Sequence, residues 1–197
     1  MIRDIKVCLL GESGVGKTCL LHRFIHNEFC EHMSTIGSAY VSHSIPHADV
    51  PSGVPMSIWD TAGMEVFKAI TRQYIRGSDI TLICFDSDRR SFLAAENWAD
   101  EVAAEEPNST QIMVATKMDL VSTMAPHIPQ QEVKSVMKKK GLAHVFNTSA
   151  KTGLNVSELF STVDQIAVEK FIQKHPRHFS TVHVEGAVSV RAMSCCS

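Results

Sequence analysis

Residues Gly11–Thr18 read GESGVGKT, which has the spacing G-x-x-x-x-G-K-[ST]. Glycines at these places let successive backbone N–H groups turn inward around phosphate oxygens. A helix opening straight after them adds the positive end of its dipole. The candidate donors are the amides of Ser13, Gly14, Val15, Gly16 and Lys17. Lys17 would neutralise β- and γ-phosphate charge, and the Thr18 hydroxyl would ligate Mg²⁺. The bland alternative is a glycine turn with a surface lysine. It is disfavoured by context, because an apolar run precedes the loop and a helical pattern follows it.

Three more short motifs carry related chemistry. Trp59–Glu65 reads WDTAGME; the Asp60 carboxylate suits Mg²⁺, often through water, and the Gly63 N–H suits a γ-phosphate oxygen. Thr116–Asp119 reads TKMD. One carboxylate there can accept from guanine N1 and from its exocyclic amine, a donor pair that adenine lacks, so Asp119 would select guanine. Ser149–Lys151 reads SAK, and the Ala150 N–H could donate to guanine O6. Each motif is weak by itself. Their order, spacing and shared position after apolar runs make the set specific.

Those apolar runs are the elements that must position the motifs. Strands are predicted at 4–10, 39–45, 54–59, 80–85, 111–116 and 144–148 from short apolar or alternating runs. Helices are predicted at 17–27, 67–76, 91–105, 129–139 and 156–172 from apolar residues at helical spacing. The prolines and glycine of PHADVPSGVP predict an extended turn around Pro46–Pro55. Strand and helix alternate from end to end, which predicts an α/β fold with a largely parallel sheet and ligands beyond the carboxyl ends of the strands. One domain over 1–173 and a flexible tail over 174–197 are expected.

Composition fits that picture. Hydrophobic residues are 44% and charged residues 20%, enough for a core in one domain of 197 residues. Lys plus Arg number 19 against 21 Asp plus Glu, a net charge of −2, which disfavours a nucleic-acid surface. No apolar run reaches the roughly 18–20 residues of a membrane span. The start, MIRDIKVCLLG, meets a glycine too soon for a secretory signal and has no glycine after Met1 for myristoylation. Six cysteines without export signal or zinc-finger spacing are expected to be reduced and intracellular. His22 and His26, at i and i+4, are expected to be ordinary helix residues. Ser91 is a candidate helix cap, and Lys138–Lys140 and the acidic residues Asp100, Glu101, Glu105 and Glu106 are expected to be solvated.

Taken together, residues 4–172 resemble a small GTPase of the Ras superfamily, specifically a Rab. TIGSAY at Thr35–Tyr40 adds to the nucleotide motifs, as does YIRGS at Tyr74–Ser78, similar to the Rab pattern Y-Y-R-G-A. CFDSD at Cys84–Asp88 resembles V-Y-D-I-T more loosely. KVCLLG and TIGSAY lean toward the endosomal members. The resemblance implies a P-loop small GTPase fold with a six-stranded, mostly parallel sheet flanked by helices, and GTP or GDP bound with Mg²⁺. Lys17, Thr35 and Gly63 would be the catalytic set, with Thr18, Thr35 and Asp60 toward the metal. Thr35 would place its hydroxyl on Mg²⁺ and its N–H on the γ-phosphate, and Phe29 would pack against guanine. Cys19, Thr116, Lys117, Ser149 and Lys151 would complete the nucleotide contacts. Two loops near 29–40 and 60–77 would be ordered by the γ-phosphate and released on hydrolysis. The partners implied are an exchange factor, a GTPase-activating protein, a GDP-dissociation inhibitor or escort protein, and effectors that read the two loops.

The end of the chain reads Cys195-Cys196-Ser197. A C-a-a-X box would need cysteine at position 194, which is Ser194. Many Rabs instead end in paired cysteines that are both geranylgeranylated. One lipid chain gives marginal, reversible membrane binding, so two signals are needed for stable anchoring. The resemblance therefore implies a peripheral protein on the cytosolic face of an intracellular membrane.

Several positions depart from the Rab pattern. Met64 stands where Rabs usually carry the glutamine that orients the attacking water. A thioether has no donor and only a weak acceptor, so slow intrinsic GTP hydrolysis is expected. The common Rab-directed activating proteins insert both an arginine and a glutamine and could still act. Val66 replaces the usual arginine, TKMD has threonine where most Rabs have asparagine, and the segment from Phe29 to Thr35 is one residue short. Met64 leaves open a GTP-binding scaffold with no meaningful hydrolysis. A nucleotide kinase sharing the phosphate loop is the other rival; WDTAG, TKMD and SAK count against it.

Overall fold

The computed structural model describes residues 3–30, 38–61, 68–121 and 128–176, with side chains omitted for 68–71. Six strands form one sheet: β1 (Ile5–Leu10), β2 (Ser38–His47), β3 (Val50–Thr61), β4 (Ile80–Phe85), β5 (Thr110–Ala115) and β6 (His144–Asn147). Five α-helices among the described residues connect them: α1 (Lys17–His26), α2 (Lys68–Ile75), α3 (Arg89–Glu105), α4 (Gln130–Lys140) and α5 (Val156–Lys174). The strand order is β2-β3-β1-β4-β5-β6. Among the described residues only the β2–β3 pair is antiparallel. The α/β fold with a six-stranded, mostly parallel sheet is as the sequence predicts.

Side-chain alternation on β1 divides the core between the two faces of the sheet. Ile5, Val7 and Leu9 point to one face and pack with Leu20 of α1 and Leu159, Phe160, Val163 and Phe171 of α5. Cys8 and Leu10 point to the other and pack with Phe92, Trp98 and Val102 of α3 and Val136 of α4. Burying both faces is what makes β1 and β4 read as continuous apolar runs. Cys8 and Cys84 are inside this core, and burial pushes both thiols up to about 12. Both are free thiols, as are Cys19 and Cys30.

The proline-rich segment differs from its expectation. β2 continues to His47 and β3 begins at Val50, so the turn is short and the strands run through PHADVPSGVP with a register shift between Ile45 and His47. The reason is the position of the sheet edge. β1 first pairs with β3 at Met56, so residues 50–55 have β2 as their strand partner and form a two-stranded ribbon. Pro51 and Pro55 sit where a missing N–H disturbs no central ladder.

Three smaller expectations change as well. Asp88, not Ser91, caps α3, its side chain accepting from the Arg90 N–H; Ser91 donates its hydroxyl to Asp86 Oδ1 at 2.8 Å. Lys140 is largely covered and pairs with Asp100 at 2.5 Å. Glu105 pairs with Arg72 and Arg76, and Glu106 accepts the Gly77 N–H at 2.7 Å, so the acidic end of α3 anchors the end of α2 instead of facing water.

Gly11 closes β1. Its φ is +141°, and a Cβ there would sit 2.3 Å from the backbone carbonyl oxygen of Cys84 on β4. That oxygen belongs to a central strand and cannot move aside. Gly11→Ala is expected to destabilise the fold by about 2 kcal/mol. Differential scanning calorimetry should show the midpoint falling by roughly 4–8 °C; an unchanged midpoint would contradict this packing.

Candidate nucleotide-binding site

β1 ends between β3 and β4, the point where neighbouring connections leave in opposite directions and open a crevice above the sheet. The segment from Gly11 to Gly16 crosses it and leads into α1. Gly14 and Gly16 hold φ of 75° and 97°, conformations that L side chains rarely adopt. Ser13 and Gly14 are exposed at the mouth, whereas Val15 is buried. Lys17 opens α1 with its side chain folded back over the loop, Nζ donating to the Gly11 carbonyl at 2.7 Å and the Glu12 carbonyl at 2.9 Å. Its residue is only 5% exposed. A cation so enclosed requires acceptors around it.

The carboxyl end of β3 brings Asp60 to the same place. Thr61 Oγ1 donates to the Leu9 carbonyl at 2.6 Å, locking the end of β3 to the end of β1. Asp60 is fully buried, and its Oδ2 accepts from Thr18 Oγ1 at 2.6 Å. A hydroxyl and a carboxylate oxygen held side by side are hard oxygen donors, and few such ligands suffice for Mg²⁺, which keeps several waters and draws others from phosphate. The residues present therefore fit that ion.

The guanine motifs form the far wall. A cavity of about 250 Å³ lies between the P-loop glycines, Cys19 and Leu20 of α1, Phe29, the TKMD segment with Leu120, and Thr148 with the SAK segment. Ser149 Oγ donates to Asp119 Oδ1 at 2.6 Å, joining the two motifs, and the Met118 N–H donates to the Thr148 carbonyl at 3.1 Å. Lys117 adopts φ 55° and its stem runs over the P-loop, with Cε 3.9 Å from where a Cβ on Gly16 would lie. Its Nζ donates to Asp86 Oδ2 at 2.9 Å. Burial raises the Asp86 carboxyl, but hydrogen bonds from Lys117, the Asp88 N–H and Ser91 outweigh it, and the net shift is downward. Cys19 lies on the cavity wall with Sγ donating to the Cys30 carbonyl at 3.4 Å, and burial raises its thiol.

Threonine at the first position of TKMD has a visible role. Thr116 Oγ1 lies 2.6 Å from the Val15 carbonyl and 3.0 Å from that of Phe85, so it ties the base-facing segment to the P-loop. Among the predicted site residues, the structure brings together Ser13–Cys19, Phe29, Asp60, Thr116, Lys117, Asp119 and Ser149–Lys151. Thr35, Gly63, Met64, Cys195 and Cys196 lie outside the described residues. Sequence reasoning missed Asp86 and Arg23 as site residues. Asp86 directly follows β4 and Asp60 is the penultimate residue of β3, and that shared strand-end position is the available signal. Arg23, half-buried on α1 with its guanidinium against the Ala150 and Lys151 carbonyls, carries none. His22 and His26 lie side by side on α1 with their rings 4.6 Å apart, and among the described residues no group of three or more His, Cys, Asp or Glu is placed to hold a metal ion.

Sequence similarity to known proteins points to a family. The Ras family profile matches residues 6–169. The chain is 37% identical to the Ras-related protein Rab-24 of Dictyostelium discoideum, over 81% of this chain and 79% of that one. It is 32% identical to the Ras-related protein Rab5A of Oryza sativa subsp. japonica, over 100% and 96%. It is 31% identical to the human Ras-related protein Rab-31, over 99% and 98%. With a family match across most of its length, and full-length similarity to Rab proteins on a sheet whose central strand ends in a phosphate loop, the chain belongs to the Ras family and, within it, to the Rab small GTPases.

Proposed function

We propose that this chain is a GTP/GDP switch that regulates vesicle or membrane traffic, with slow intrinsic GTP hydrolysis. The observation that carries the reading is the convergence of the P-loop, TKMD and SAK around one cavity at the carboxyl ends of the parallel strands, with Asp60 beside the P-loop on Thr18. Asp119 and the Ala150 N–H read guanine, and Phe29 covers its face. The P-loop amides and Lys17 hold the phosphates. Lys17 leaves two carbonyls for phosphate oxygens, gaining a charged partner. Mg²⁺, when bound, would neutralise charge on the phosphates, and Thr18, Thr35 and Asp60 would hold it. Hydrolysis is in-line attack by water on the γ-phosphate, with Lys17 and the P-loop and Gly63 amides stabilising the charge that develops.

Met64 favours a second reading, a GTP-binding scaffold without meaningful turnover. Loading the full chain with γ-labelled GTP and following phosphate release in a single turnover separates the two. The switch reading expects slow release that runs to completion, and the scaffold reading expects none above the protein-free rate.

The tail belongs to the proposal too. No helix among the described residues is long and apolar enough to cross a membrane, so membrane attachment falls to Cys195 and Cys196 as geranylgeranylation sites. The known tail cations before them are few, and two lipids supply the second signal that charge does not. Intact mass spectrometry of the protein from eukaryotic cells is expected to show two C20 prenyl groups, and Cys196→Ser one or none. An unmodified C-terminus would contradict this.

A further inference from the structure

We infer that Arg23 is a positioning residue that holds both walls of the base pocket together and thereby sets how long guanine nucleotides stay bound. Its guanidinium leaves α1 in the direction of the SAK segment and makes three charge-assisted hydrogen bonds. Nε donates to the Ala150 carbonyl at 2.5 Å, Nη2 to the Lys151 carbonyl at 2.7 Å, and Nη1 to the Asn27 carbonyl at 2.7 Å. The first two acceptors lie 127 and 128 residues away in sequence. The third belongs to the left-handed residue that ends α1, φ 54°, whose own N–H returns to the Arg23 carbonyl at 3.0 Å. Two residues beyond Asn27 is Phe29. One planar, always-charged fork therefore spans the segment that delivers Phe29 to one wall and the segment that delivers Ala150 and Lys151 to the other.

The geometry also bears on the amides that face the base. A peptide unit is planar and trans, so its C=O and N–H point in opposite directions. Pulling the Ala150 carbonyl toward α1 turns the Lys151 N–H away from α1's guanidinium. Fixing two successive carbonyls fixes the planes on both sides of Lys151. A charged donor on the Ala150 carbonyl polarises the Lys151 N–H of the same peptide, and by fixing that carbonyl it also holds the Ala150 residue, with its own N–H on the preceding peptide, in place. Lysine, with a compact ammonium, cannot reproduce three directed bonds. This inference rests on the assignment of the cavity to guanine and of Ala150 to its O6.

The experiment measures dissociation of GDP and of 6-thio-GDP, whose sulfur is a poorer acceptor at position 6, from full-length wild type, Arg23→Ala and Arg23→Lys, with Asp119→Asn in parallel. Arg23→Ala is expected to release GDP about tenfold faster or more, the scale of charged hydrogen bonds, with Arg23→Lys in between. The ratio of 6-thio-GDP to GDP release rates is expected to fall toward one in Arg23→Ala, a change that general loosening of the fold would not cause. If Arg23→Ala does not fold, Arg23→Lys carries the same two readouts. GDP release within twofold of wild type, or equal acceleration of both nucleotides, overturns the inference. If Asp119→Asn binds GDP as tightly as wild type, the guanine assignment itself has failed and the inference falls with it. If Asp119→Asn loses GDP and the Arg23 variants do not, only the role of Arg23 has failed.

Discussion

Asp119→Asn is expected to weaken GDP binding on the order of 10²–10³-fold and to raise affinity for xanthosine diphosphate, read by competition against a fluorescent GDP analogue. A site built to hydrogen-bond a particular group rejects the ligand that leaves its buried partners unpaired by several kcal/mol. The carboxylate is acceptor-only, which matches guanine's adjacent N1–H and amine. Asparagine offers one acceptor and one donor, and its NH₂ faces a donor on guanine but an acceptor on xanthine. The effect is large because the carboxylate is already oriented: Ser149 Oγ holds Oδ1 at 2.6 Å, and the Thr152 N–H in turn donates to Ser149 Oγ at 3.2 Å. If GDP affinity stays within a few-fold of wild type, Asp119 does not read the base.

Met64→Gln is expected to speed single-turnover GTP hydrolysis by roughly tenfold or more, one oriented hydrogen bond to the attacking water being worth about 1.4 kcal/mol in the barrier. The amide supplies both a donor and an acceptor where the thioether supplies neither in useful strength. Nucleotide affinity should be unchanged, since residue 64 has no part in holding the ground state in this account; the gain belongs in the chemical step alone. Equal rates for wild type and Met64→Gln, whether both slow or both fast, would show that methionine is not what limits turnover.

Much of this protein could be read before its structure, for a physical reason. Strands buried on both faces print as short apolar runs, as Ile80–Phe85 does, and a parallel sheet puts every strand's carboxyl end on one side. Four motifs that each follow such a run must then converge. The ribbon at Val50–Pro55 reads as a turn because prolines signal one locally, while their tolerance is decided by where β1 begins to pair. Asp86, Thr116 and Arg23 show a different limit. The Lys117–Asp86 pair spans 31 residues, the Thr116–Val15 bond 101, and the Arg23 bonds up to 128. Contacts of that reach follow from the completed topology and leave no periodic trace. Lys140, at the end of a basic run, reads as solvated until α3 places Asp100 beside it.

The central claim is that one cavity at the strand ends is a guanine-nucleotide site, and competition for it tests this most directly. The full chain, loaded with a fluorescent GDP analogue in the presence of Mg²⁺, is titrated separately with GDP, GTP, ADP and ATP. The account predicts displacement by GDP and GTP at one site per chain, with ADP and ATP needing concentrations at least about 10³-fold higher. Comparable displacement by ATP, or no saturable guanine-nucleotide binding, would contradict it.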